Sequence, residues 1–109
     1  MPYNEVLAER IRRALKGTRS LTEMKMFGGI GFLVRGNLAC GVIGNEMMVR
    51  VGPDNHATTL KEPHVRPFDM TGRPSKGWVV VRASGLKDDA ALRSWARRGV
   101  AFAKSLPPK

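Results

Sequence analysis

Cysteine is all but missing from this chain. Cys40 stands alone among 109 residues, which rules out a disulfide within the chain and any multi-cysteine zinc or iron–sulfur site. Histidine is almost as scarce: His56 and His64 lie eight apart with no carboxylate at ligand spacing, so no metal is expected. Aromatic residues are few. Tyr3, Phe27, Phe32, Phe68, Trp78, Trp95 and Phe102 lack the spacing of an RNA-stacking platform, and most read as core. No apolar run approaches the roughly 20 residues of a bilayer span. The opening stretch MPYNEVLAERIRRAL carries acids and no continuous apolar segment, unlike a secretory leader. A cytoplasmic protein with no membrane association is therefore expected. The last shortage is of acids: 9 Asp and Glu stand against 19 Lys and Arg, a formal charge of +10 that lies mostly after Asp54. Such an excess favours an anionic partner, nucleic acid first among them.

What is present organises itself around Met26–Val51, MFGGIGFLVRGNLACGVIGNEMMVRV. Gly31–Val34 and Leu38–Ile43 are apolar runs of strand length, joined by Arg35-Gly36-Asn37, residues that tolerate positive φ. Gly44-Asn45-Glu46 repeats the punctuation. Met47–Val51 then alternates, with Met47, Val49 and Val51 on one face and Met48 and Arg50 on the other. This is a three-strand antiparallel meander with one covered face. The cover comes from the flanks.

Val6, Leu7, Ile11, Ala14 and Leu15 recur at helical spacing, with Asn4 placed as N-cap and Gly17 as the stop. Thr18–Lys25 alternates and is left open between a lead-in and a first strand. Asp54-Asn55 is placed to cap a short helix reaching Leu60, which Pro63 closes. Pro67–Met70 is a short extended piece, and Trp78–Val81 is the most β-prone run in the chain. The last helix runs from about Asp88 to Ser105. Leu92, Trp95, Ala96, Gly99, Ala103 and Leu106 form its apolar stripe, while Arg93, Arg97 and Lys104 form a stripe facing water. One domain over residues 1–109 follows, an α+β two-layer sandwich with helices on one face of an antiparallel sheet.

Few residues invite chemistry. Gly28-Gly29-x-Gly31 has the look of a cofactor loop, but it leads into a strand, whereas phosphate and S-adenosylmethionine loops lead into a helix. No cofactor is expected. Cys40 sits among Leu38, Ala39, Val42 and Ile43 as a small buried hydrophobe, so no catalytic residue is assigned. Arg93, Arg97, Arg98 and Lys104 are the candidate contacts for a phosphate backbone, read without sequence preference. A homodimer is also expected, because an antiparallel sheet covered on one face has a second face and an edge to offer.

The string Met26-Phe27-Gly28-Gly29-x-Gly31, the strand–turn–strand rhythm after it, Pro67-Phe68-x-Met70-x-Gly72-Arg73-Pro74, and LRSWARRGVAFAKSLP at the C-terminus resemble the TfoX/Sxy N-terminal domain family. The resemblance spans nearly the whole chain. It implies the order α-β-β-β-α-β-β-α with about five strands, and gives Met26, Phe27, Gly28, Gly29 and Gly31 a structural role. The family is named for regulators of DNA competence that carry a second, helical domain; this chain is expected to be a stand-alone member. A non-enzymatic regulatory module working through a protein partner is the function so implied. A small enzyme, for instance of RNA methyltransferase type, is the alternative.

Overall fold

In the computed structural model, which describes residues 3–26, 28–68 and 76–108, the chain forms three helices and a six-stranded antiparallel sheet. Helix α1 (Glu5–Ala14) is followed by strands β1 (Leu21–Met26), β2 (Gly29–Val34), β3 (Asn37–Ile43) and β4 (Glu46–Arg50). Helix α2 (His56–Leu60), strands β5 (Val65–Pro67) and β6 (Trp78–Val81), and helix α3 (Asp89–Ser105) complete it. The expected α+β sandwich is present. The sixth strand is β1, which lay in the stretch left open by the alternation of Thr18–Lys25. Across the sheet the order is β1-β2-β3-β4-β6-β5. The crossover through α2 and β5 thus places Trp78–Val81 inside the sheet rather than at its rim.

Local chemistry explains the element ends. Asn4 Oδ1 accepts the Leu7 N–H at 3.0 Å, and Asp88 Oδ1 accepts that of Ala90 at 3.2 Å, so both long helices have a side-chain N-cap. The shorter helix lacks one. Asn55 donates instead to the Val51 carbonyl at 3.2 Å, and Pro53–Asn55 forms a 3₁₀ turn ahead of α2. The expected Asn55 cap is therefore not formed. Arg35 and Gly36 close the β2–β3 hairpin with φ of 53° and 81°, the doubly positive signature of a type I′ turn.

The core lies between the sheet and the helices. Leu7, Ala8 and Ile11 of α1, and Leu92, Trp95, Ala96, Val100 and Ala103 of α3, meet Ile30, Phe32, Val34, Cys40, Val42, Met47 and Val49. Val6, which shares the helical period, is instead 70% exposed. Gly99 sets the approach of α3 to β3: a Cβ there would lie 2.3 Å from the Ala39 carbonyl oxygen. No side chain fits that gap. On the other sheet face Met48 is buried as well, because Gly41 on the neighbouring strand leaves the space its methyl group fills. The meander is thus packed more fully than a single covered face implies. Arg12 reaches from α1 to β1, donating to both oxygens of Glu23 at 2.7 and 2.9 Å, and holds that carboxyl below its usual pKa range.

Candidate functional site

The glycine string that carries the family resemblance lies where β1 gives way to β2. Gly28 turns the chain at a φ of 75° and Gly29 opens β2, so one strand leads directly into the next. A Cβ on Gly29 would sit 2.1 Å from the Val42 carbonyl oxygen, and Gly31 pairs with Met24 on one side and Gly41 on the other. Met26 ends β1, while Phe27 lies outside the described residues. These glycines permit close strand approach. They do not form a strand-to-helix cradle for phosphate.

The residues of interest for thiol chemistry are scattered. Cys40 is fully buried, and burial among apolar neighbours pushes its thiol up to about 12. His64 is exposed in a turn at a φ of 67° and bonds through Nδ1 to the Ser84 hydroxyl at 2.8 Å. His56 lies in α2 with its Nε2 buried and without a hydrogen-bond partner among the described residues. Among the described residues no group of three or more His, Cys, Asp or Glu is placed to hold a metal.

The four candidate anion contacts divide. Arg93, Arg97, Arg98 and Lys104 are all exposed on α3, but Arg98 is turned aside. Its guanidinium makes a two-pronged bond to Glu62 at 2.7 and 3.2 Å and lies 4.3 Å from the Trp95 ring centre. Arg97 and Lys104 face the other way. They line a cleft of about 640 Å³ together with Lys16 and Arg19, from the loop after α1, and Arg35, from the β2–β3 turn. Ala14, Leu15, Val100 and Ala101 floor it, and none of its lining residues is acidic. Arg93 borders an adjoining hollow of about 220 Å³ beside Arg10 and Arg13, where Arg10 is bonded to Asp89 at 2.9 Å. In that hollow, unlike the cleft, an acid answers one of the cations.

Sequence reasoning missed Lys16, Arg19 and Arg35. Each sits singly in a loop, and only the fold brings them to α3. The junction is built with some strain: Ser20 and Arg35 both adopt left-handed backbone, at φ of 58° and 53°, and the Arg35 N–H donates to the Ser20 carbonyl at 3.1 Å. Left-handed backbone costs a residue with a Cβ about 1 kcal/mol or more, and a type I′ turn normally takes Asn, Asp or Gly where Arg35 stands. An arginine tolerated there is the signal that could have singled it out.

The family profile described as TfoX N-terminal domain matches residues 13–103. The chain belongs to that family. No curated protein and no solved structure matches it. The matched span of this TfoX N-terminal domain holds Lys16, Arg19, Arg35, Arg97 and Arg98, along with the glycines of β2. No helix among the described residues is long and apolar enough to cross a membrane.

Proposed function

We propose that this TfoX N-terminal domain is a non-enzymatic interaction module whose basic cleft holds the phosphate backbone of nucleic acid without regard to sequence. One observation carries the reading: Lys16, Arg19, Arg35, Arg97 and Lys104, from three separate parts of the chain, converge on one concave surface with no carboxylate among its lining residues. Arginine forks and lysine ammonium groups suit phosphate oxygens, and each phosphate neutralised releases counterions. No aromatic ring lines the cleft, so bases have nothing on which to stack. Affinity should come from charge alone.

The regulatory role implied by the family is exercised through a protein partner, with the nucleic-acid contact adding a general hold. Fluorescence anisotropy with a labelled duplex at several salt concentrations tests the charge-driven part. Five engaged phosphates give a slope of log K against log salt near −0.9 × 5, or about −4.5, nearly the same for a scrambled duplex. Absence of binding at low salt, or strong preference for one sequence, would overturn the reading. Calorimetry with S-adenosylmethionine addresses the enzymatic alternative, for which heat of binding would be required.

A further inference from the structure

The two edges of the sheet are finished differently. At one edge β5 spans three residues and ends in Pro67, which has no N–H to offer another strand. At the other edge β1 runs six residues without proline, in unbroken register with β2 from Leu21↔Val34 to Met26↔Gly29. Its outer side has no strand neighbour among the described residues. Edges of this length are normally blunted, since a row of free N–H and C=O groups templates another strand. Here the side chains suit one particular strand. Met24, 46% exposed, lies between Glu23 and Lys25, which share the sheet face toward α1, where Glu23 meets Arg12.

We infer that β1 pairs antiparallel with β1 of a second copy about a two-fold axis at Met24, joining the two sheets into one. In this register Met24 faces Met24, and Glu23 of each copy lies opposite Lys25 of the other. Two cross-strand ion pairs then flank an apolar centre. Centring on Glu23 or on Lys25 instead sets like charges face to face. Lys25 has no ion pair among the described residues, and Glu23, though bonded to Arg12, keeps lone pairs for a second cation. The partner is therefore this chain itself, selected by charge complementarity along its own edge. Pairing by an edge alone buries less surface than a permanent dimer needs, so the association depends on concentration. The interface is independent of what the basic cleft binds, and the two clefts lie toward opposite ends of the joined strands.

Sedimentation of the full chain from about 10 µM to about 1 mM reads the assembly directly. Wild-type protein shifts from monomer toward dimer. Lys25→Glu and Glu23→Lys each place like charges opposite one another and remain monomeric. Mixed one to one, they restore the dimer, because every position across the joint again has opposite signs. Lys25→Glu touches no ion pair within the described chain, so it carries the result if Glu23→Lys, which loses Arg12, melts early. A Met24→Cys variant crosslinks to dimer under mild oxidation. Val6→Cys, also exposed, does not, and buried Cys40 stays unreacted in both. A monomer mass for the wild type at every concentration overturns the inference. So does a dimer that survives both single charge reversals, a folded pair of variants whose mixture stays monomeric, or crosslinking of Met24→Cys no faster than that of Val6→Cys.

Discussion

Arg97 and Arg98 are neighbours in sequence and opposites in setting. A helix turns about 100° per residue, enough to send the two guanidinium groups into different hollows on either side of α3. On one side, in a cavity of about 560 Å³ bounded by α2, Arg98 meets Glu62 at 2.7 Å above the Trp95 ring, beside Val51, Thr59 and Phe102. On the other side Arg97 joins four more cations and no acid. One arginine pins α3 to the loop that follows α2; the other adds to an unanswered positive field. A count of basic residues on a helix therefore says little about binding until the surrounding elements show which charges are already spent on the fold.

The comparison depends first on α3 being seated. Trp95 is only 8% exposed and lies in the core beneath Arg98, so Trp95→Ala should cost about 3–5 kcal/mol. That loss is a large share of the roughly 5–15 kcal/mol available to a small domain, and thermal or denaturant melting would read it. Near-wild-type melting would show that α3 docks by another face, and both hollows would have to be redrawn. Next in size is the contrast in salt dependence. Replacing Arg35, Arg97 and Lys104 together by alanine should lower the magnitude of the anisotropy slope by about 0.9 × 3, or roughly 2.7, whereas Arg98→Ala should leave it nearly unchanged. Equal effects from Arg97→Ala and Arg98→Ala would erase the distinction between the two sides.

Arg35 offers a sharper test because its two effects have opposite signs. Arg35→Gly relieves left-handed backbone strain and should raise stability by about 0.5–1 kcal/mol, while the salt slope loses about 0.9. Melting and anisotropy on one variant suffice, and a variant that both melts lower and binds as before would show that the turn is not built for this side chain. The smallest effect is expected for the stability of Arg98→Ala. Its pair with Glu62 is partly open to solvent, at 42% and 35% side-chain exposure, and screening holds the loss to about 1 kcal/mol or less.

The fold was largely legible from local pattern. Asn4 caps the helix it was placed to cap, α3 starts beside Asp88 as its acidic end suggests, the Arg35-Gly36 turn joins the strands on either side, and the apolar stripe of α3 is the face it buries. Misses came where the local signal had a competitor. Val6 fits the period of α1 yet points outward, and Asn55 turns back to Val51 because a 3₁₀ turn precedes the helix. Phe27 and Gly72–Pro74, which also carried the family resemblance, lie outside the described residues.

The sequence by itself determined the class of the fold, the family, the excess of positive charge and the burial of Cys40. Those properties rest on short-range rules: the periods of strand and helix, the preferences of caps and turns, and the tendency of a cysteine in an apolar strand to be buried. Only the tertiary structure decided which cations act together. Lys16, Arg19 and Arg35 are separated from Arg97 and Lys104 by more than half the chain, and no periodicity links them. Packing of α3 on the sheet at the close approach of Gly99, together with the bond from Arg35 to Ser20 that ties the β2–β3 turn to the loop before β1, closes that separation. The same packing withdrew Arg98, because Glu62 comes to it from a distant loop. Charge is written in composition, but whether it is free or already paired is a matter of distance, and distance is fixed only when the chain folds.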